Sequence, residues 1–270
     1  MPQTADLTTI DAEAYRRDGV ALVRGAFADW VDELRAGVER NMADPGPGVR
    51  IYGDDDGKGR FFGDYCNWQR IPEYRRFVFE SPAAELAAHA MASGEVRLFH
   101  EHVLVKEPGN EVPTPWHQDG PYYCVEGTQT VSFWIPLDPV PRATSPEFVP
   151  GSHRWGREFR PERFNGTALV QGDGRESVPD VNGDREGYGV VGFELEPGDA
   201  VAFNYMTLHG APANSSQALR RRAFSLRLIG DDARFVRRPG TTSPPFPGLQ
   251  LATGDRMDAP EFPLLWPRAG

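Results

Sequence analysis

Apolar side chains at Val31, Leu34, Val38 and Met42 recur at spacings of three and four, which predicts a helix over 28–42 with one buried stripe, ended before Pro45. Ahead of it, Asp11 can cap a helical turn through Arg17, Gly19 can end that turn, and the run Val20 to Val23 predicts a short strand. A second helix is signalled by Ser81 as cap, Pro82 in the first turn, an Ala/Leu-rich body to Ala92 and Gly94 as the stop. From Val96 the pattern changes to short β-like runs separated by Pro and Gly, with candidate strands at 96–106, 116–124, 130–137, 147–150, 193–195, 200–205 and 222–229. Repeated short strands with turn signals between them predict a β-sandwich or barrel preceded by a helical amino-terminal third. Residues 43–60, with five glycines and two prolines, predict a solvated loop, and the polar, Gly-rich stretch 156–190 predicts a long loop over one end of the barrel. No internal repeat is visible.

Composition narrows the class of partner. A net charge of −10 over 270 residues repels polyanions, so nucleic acid and anionic membrane surfaces are not expected partners. No apolar run approaches the ~18 residues of a membrane span. Cys66 and Cys124 are too few for a disulfide scaffold, and the amino terminus lacks a basic-then-apolar leader pattern, so a reducing cytoplasm is the expected compartment. Gly (29) and Pro (25) make up a fifth of the chain, consistent with many turns rather than low complexity.

Candidate chemistry concentrates in Trp116-His117-Gln118-Asp119-Gly120. On an extended strand, His117 and Asp119 project to one face and can offer an imidazole nitrogen and a carboxylate oxygen to one ion. A His-x-Asp pair alone is common and is more often a surface polar pair. His209, following the apolar strand around 200–205, adds a third donor and completes two histidines and a carboxylate, the set that holds non-haem Fe(II) on one face. Further on, Arg220, Arg221 and Arg222 enter an apolar strand, and an inward-pointing arginine there needs an anion to pair with. Alternation sends neighbours to opposite faces, so the residues alone leave open which of the three points inward. The run Asp54 to Asp56 does not form a calcium loop, because Gly57 comes too early for one.

Taken together, Lys106-Glu107-Pro108-Gly109, Trp116 to Asp119, Ser132-Phe133-Trp134, Val149-Pro150-Gly151-Ser152-His153, Pro197-Gly198-Asp199, His209-Gly210 and Arg221-Arg222-Ala223 make a segment, roughly 96–230, that resembles the phytanoyl-CoA dioxygenase family of Fe(II)/2-oxoglutarate-dependent oxygenases. The resemblance implies a mainly β fold with flanking helices: a double-stranded β-helix, that is, a jelly-roll, cupin-like barrel. It implies a single oxygenase domain over 1–270, with 1–95 packing helices on the barrel, 96–230 forming its core and 231–270 an extension. His117, Asp119 and His209 would then be both the catalytic centre and the metal ligands, and Arg221 would hold the distal carboxylate of 2-oxoglutarate. Lys106, Gln118 and Trp134 fall where the family places further cosubstrate or pocket contacts. If Arg221 points inward, Ala223 and Ser225 share its face, while Arg220, Arg222, Phe224 and Leu226 turn towards the helices.

The implied reaction consumes 2-oxoglutarate and O2, releases succinate and CO2, and hydroxylates an unactivated carbon of a small organic molecule. Desaturation and ring formation use the same ligands and stay open, as does a non-catalytic metal- or ligand-binding jelly roll. Halogenating relatives lack the carboxylate ligand, so Asp119 argues against halogenation. Two departures from the family pattern stand out: the turn Ala143-Thr144-Ser145-Pro146 lacks a usual glycine, and Ala211 replaces a serine that some relatives use to hold the cosubstrate. His153 belongs to a segment that shapes a turn in the family. Phe61, Phe62, Tyr65, Trp68, Tyr122 and Tyr123 are candidate pocket walls, His100 and His102 share the strand face of Lys106, and loops 43–70 and 156–190 are the expected substrate selectors. Oligomeric state is left open.

Overall fold

The computed structural model describes residues 3–53, 59–161, 174–214, 216, 218–240 and 242–268. In chain order the helices are α1 (Ala12–Asp18), α2 (Val31–Ala43), α3 (Pro72–Glu80) and α4 (Ala83–Met91). The strands are β1 (Val20–Val23), β2 (Arg50–Tyr52), β3 (Phe61–Tyr65), β4 (Val96–Lys106), β5 (Thr114–His117), β6 (Val125–Glu126), β7 (Thr130–Pro136), β8 (Glu147–Phe148), β9 (Val191–Gly192), β10 (Ala200–Phe203), β11 (His209–Ala211), β12 (Arg221–Ile229), β13 (Arg234–Phe235) and β14 (Leu264–Trp266).

Two antiparallel sheets carry the fold. The larger runs β1-β10-β7-β12-β4-β3-β2, with β14 added to β4, and the smaller runs β5-β11-β8-β9. They are separate ladders rather than one closed barrel, in the double-stranded β-helix arrangement. Strand alternation divides the work of the larger sheet between its faces. Val103 and Val105 of β4, Phe133 and Ile135 of β7, and Phe224 and Leu226 of β12 pack on Leu34, Val38, Tyr74, Phe77 and Leu86 of the helices. Phe224 lies 4.9 Å from Tyr74 and 5.3 Å from Phe77, ring centre to ring centre, which fixes the outward face of β12. The opposite face turns His100, His102, Leu104, Lys106, Arg221, Ser225 and Arg227 into a cavity.

Several expectations need correction. The strand expected over 116–124 ends at His117, and a 3-10 turn over Gly120–Tyr122 follows. The helix at 28–42 opens as a 3-10 turn at Ala28–Trp30 before α2, and α4 stops at Ala92, which takes a left-handed φ of 52°, two residues short of Gly94. The loop at 43–60 contains β2, and the ladder expected at 193–195 forms at Val191–Gly192, with Leu195 bridging singly to Val140. The extension at 231–270 places β14 on the larger sheet beside α4. Asp54 to Asp56 and most of the first half of the 156–190 loop lie outside the described residues. Among the described residues no helix is long and apolar enough to cross a membrane.

Candidate active site

His117 closes β5 and His209 opens β11, and the two are direct partners across that ladder, with ring centres 4.2 Å apart. Glycine favours this close approach: a Cβ on Gly210 would sit 3.1 Å from the Thr114 carbonyl and 3.3 Å from the Trp116 nitrogen, so any other residue would push β5 back by a few tenths of an ångström. His209 is further held from behind. Ser152 Oγ donates to the Val149 carbonyl and accepts from the Leu208 N–H, and Thr207 Oγ1 donates to the Gly19 carbonyl. That is the task of the Pro-Gly-Ser-His segment. His153 itself turns away towards the Arg16 carbonyl.

Asp119 reaches the same point from a turn rather than a strand. Its backbone is helical (φ −72°, ψ −40°), and the Gly120 N–H donates to the Tyr205 carbonyl to pin the turn. Its Oδ1 lies 3.6 Å from His117 Nε2 and 4.0 Å from His209 Nε2, and donor atoms of the three side chains all fall within 4.8 Å of one another. Each imidazole commits Nδ1 to a backbone carbonyl, His117 to Pro115 at 2.8 Å and His209 to Thr207 at 2.9 Å, which leaves the Nε2 lone pairs directed at Asp119. Burial, with His117 alongside, pushes His209 down to about 3, so it is neutral. Burial would raise the Asp119 carboxyl, but the Arg227 guanidinium and the two imidazoles outweigh it and hold it well below the usual range. Two imidazoles that each present Nε2, and one carboxylate held in its charged form, converge as a donor set that suits a divalent cation such as Fe(II).

The cavity above this triad has a volume of about 550 Å³. At one end, Arg221 and Lys106 are both buried. The Arg221 guanidinium donates to the Thr144 carbonyl, so the turn that departs from the family pattern supplies its anchor. Lys106 Nζ donates to the carbonyls of Val112 (2.6 Å) and Pro212 (3.3 Å) and lies 4.9 Å over the Phe61 ring. Burial, reinforced by the Arg221 charge, brings Lys106 down to about 6, and burial brings Arg221 to about 10. Arg222 turns out to Asp138 and Glu39, and Arg220 to Glu107 and Glu39. Trp134, Phe61, Tyr65, Tyr122 and Tyr123 line the cavity with His100, His102 and Ala211.

Three expected residues are elsewhere. Phe62 and Trp68 belong to the helix-side core. Gln118, expected at the cosubstrate, points away from the cavity, on the side opposite its neighbour His117, as strand alternation directs. Its amide is engaged by the carbonyls of Arg157 and Met206 and the N–H of Phe159. The residue that sequence reasoning missed is Arg227, whose Nε lies 3.4 Å from Asp119 Oδ2. Its signal was available, since it continues the inward alternation Arg221, Ala223, Ser225.

Comparison with known proteins agrees with this geometry. The phytanoyl-CoA dioxygenase (PhyH) family model matches residues 15–223. A Caenorhabditis elegans protein described as a probable phytanoyl-CoA dioxygenase is 25% identical over 190 residues, 66% of this chain and 54% of that protein, so the chain spans about half the length of this curated relative. Among solved structures, the non-heme alpha ketoglutarate dependent carbocyclase SnoK from nogalamycin biosynthesis aligns with a TM-score of 0.73 and 25% identity, covering 98% of this chain and 99% of that one. The epimerase SnoN, solved with Fe3+, alpha ketoglutarate and nogalamycin RO, aligns with a TM-score of 0.72 and 26% identity over 94% and 96% of the two chains. Because the matched segment runs from the first helix through both sheets and takes in His117, Asp119, His209 and Arg221, the chain belongs to the phytanoyl-CoA dioxygenase family.

Proposed function

We propose that this protein is an Fe(II)- and 2-oxoglutarate-dependent dioxygenase, an oxidoreductase acting on a small organic molecule. The observation that carries the reading is the convergence of His117 Nε2, His209 Nε2 and Asp119 Oδ1, with both Nδ1 atoms tied to carbonyls. When bound, Fe(II) couples the oxidative decarboxylation of 2-oxoglutarate by O2 to oxidation of an unactivated carbon, with release of succinate and CO2. His117, Asp119 and His209 hold the metal from one side and leave the cavity side to the cosubstrates. Arg221, with Lys106 beside it, takes the distal carboxylate of 2-oxoglutarate, and Trp134 walls that end. Phe61, Tyr65, Tyr122 and Tyr123 orient the apolar body of the substrate and keep bulk water from the reacting carbon.

Hydroxylation is the outcome this site supports best, since the carboxylate that halogenation dispenses with is present. A second reading, oxidative ring closure at the same carbon, is favoured by the likeness to the carbocyclase SnoK. Both free cysteines and the acidic surface suit a reducing cytoplasm with no nucleic-acid or membrane partner. Anaerobic addition of Fe(II) and then 2-oxoglutarate should produce a visible charge-transfer band, and admission of O2 should yield succinate, faster with a productive substrate. A protein that gives neither the band nor succinate is not this enzyme.

A further inference from the structure

The two oxygens of Asp119 face different neighbours. Oδ1 faces both imidazoles, at 3.6 and 4.0 Å. Oδ2 is buried, has no hydrogen-bond partner among the described residues, and has the Arg227 guanidinium 3.4 Å away through Nε. The same Nε donates to the Tyr123 hydroxyl, so Arg227 is held between Tyr123 and Asp119. Its backbone is equally fixed, because β12 is flanked on both sides and Arg227 is in register with His100 of β4 and Ser132 of β7. Arg227 and Asp119 are 6% and 5% exposed, so solvent does not dilute this charge pair.

An unrestrained carboxylate can turn and grip a cation with both oxygens, which takes one more coordination position. Six positions shared with three protein donors leave three for cosubstrates, and a second oxygen from Asp119 would remove one of them. We propose that Arg227 is a positioning residue that keeps Asp119 a one-oxygen metal ligand by holding Oδ2 away from the metal. The proposal rests on the metal site assigned above. It goes beyond charge neutralisation, because the close approach of Arg227 is to Oδ2 whereas the imidazoles approach Oδ1. A lysine at this position would keep the charge but would carry it as a point ammonium on a flexible stem rather than as a fixed planar fork.

The test uses the full chain loaded anaerobically with Co(II), whose visible bands report coordination number, with and without 2-oxoglutarate. Circular dichroism of each apo variant establishes the fold first. Arg227→Gln should bind Co(II) about 10- to 100-fold more weakly, the usual effect of losing an outer partner of a ligand. It should also show the weaker bands of a higher coordination number and a smaller spectral response to 2-oxoglutarate. Arg227→Lys should recover affinity but not the wild-type band pattern. A folded Arg227→Gln with wild-type affinity and spectrum overturns the proposal. Should neither variant fold, Tyr123→Phe decides it. That change leaves Nε wholly to Asp119, so an unaltered Co(II) spectrum supports Arg227 as the controlling group and an altered one transfers the role to Tyr123. A wild-type protein that binds no Co(II) would remove the metal site itself, a failure distinct from an unchanged variant.

Discussion

Arg221 and Lys106 are direct partners across the β12–β4 ladder, and both turn into the same cavity, where among the described residues their hydrogen bonds go to backbone carbonyls. Two adjacent buried cations without a carboxylate partner among the described residues form a receptor for an anion, and the distal carboxylate of 2-oxoglutarate is the anion proposed for it. Removing one partner of a buried charge pair costs about 3–5 kcal/mol, so Arg221→Ala should raise the apparent 2-oxoglutarate KM by more than about a hundredfold. Arg222→Ala breaks a pair with Asp138 on the other face and should instead lower Tm by about 2–4 °C with little change in that KM. Succinate-release kinetics and thermal melts on the two variants check this. The reverse pattern would mean that Arg222, not Arg221, serves the cosubstrate.

Lys106 gives the same site a pH signature. With its ammonium brought down to about 6 by burial and by Arg221, Lys106 is mostly neutral in the cosubstrate-free protein at pH 7 and above. A bound dicarboxylate favours the ammonium, so binding above pH 6 takes up a proton. Affinity for 2-oxoglutarate should therefore be flat below about pH 6 and weaken above it, by at most about tenfold per pH unit. Anaerobic titrations between pH 6 and 8.5 read the slope, and Lys106→Met should flatten it. A wild-type affinity independent of pH would place the protonated form of Lys106 in the free protein.

The triad variants should separate metal binding from stability. His209→Ala removes a neutral ring that stacks on Phe148 and lies 4.5 Å from Phe203, so the fold should persist while the Fe(II)/2-oxoglutarate band disappears. Asp119→Gly also loses the band, but it leaves Arg227 buried without a counter-charge, a loss of about 3–5 kcal/mol. Melting of the apo variants should thus rank Asp119→Gly below His209→Ala. Equal melting temperatures would mean that Arg227 finds another partner.

The strands that carry the site are the ones the chain pattern specifies most strongly. In β4, residues 100–106 alternate between the helix side and the cavity, and the face holding His100, His102, Leu104 and Lys106 is readable from period two, although a register shift between Leu98 and His100 puts Val96 and Leu98 in the helix-side core. For Arg221 and Arg222 period two says only that they face opposite ways, and the family resemblance is what selects Arg221 as the inward one, where the structure has it. What escaped were a strand without alternation and a helix whose period spans barely two turns. All five residues of β3 are buried, leaving no alternation to detect, and α3 is two turns of Tyr-Arg-Arg-Phe-Val-Phe in which the buried Tyr74, Phe77 and Val78 are diluted by arginines. Asp119 and Gln118 were assigned to an extended strand because nothing local in Trp-His-Gln-Asp-Gly announces the turn, which is pinned by the distant Tyr205 carbonyl.

On the helix-facing side of β4, Glu101 is fully buried, with Oε1 accepting from the Asn67 N–H and Oε2 without a hydrogen-bond partner among the described residues. Burial pushes its carboxyl up to about 8. The unfolded chain releases this proton near the ordinary value while the folded protein keeps it, so stability is greatest below about pH 4.5 on this account and declines as pH rises to about 8. Glu101→Gln keeps the acceptor and removes the titration. The variant should melt higher than wild type at pH 8, with the gap closing towards pH 5. Melting curves that stay parallel across that range would contradict a protonated Glu101.

Gln118 sits between two of the metal-site residues, and its role is the one the geometry changes most. Its amide nitrogen donates to the Arg157 carbonyl at 3.0 Å and the Met206 carbonyl at 3.1 Å, and its oxygen accepts from the Phe159 N–H at 3.0 Å. With all three bonds made to backbone and 2% of the residue exposed, nothing remains to offer a cosubstrate. The bonds instead fasten the 157–159 segment to the turn that carries Asp119. Phe159 anchors that segment among Val149, Val181 and Leu208, and the next residue, Arg160, reaches the cavity wall. Gln118→Ala should therefore release the segment while leaving the cosubstrate end intact. Loss of buried hydrogen bonds at about 1–3 kcal/mol corresponds to amide exchange about 5- to 150-fold faster over 157–160, with the 2-oxoglutarate KM within about twofold of wild type, as expected for a residue more than one layer from the cosubstrate. A KM that rises strongly while exchange at 157–160 stays protected would return Gln118 to the cosubstrate and show that the turn at Asp119 rearranges when the site is loaded.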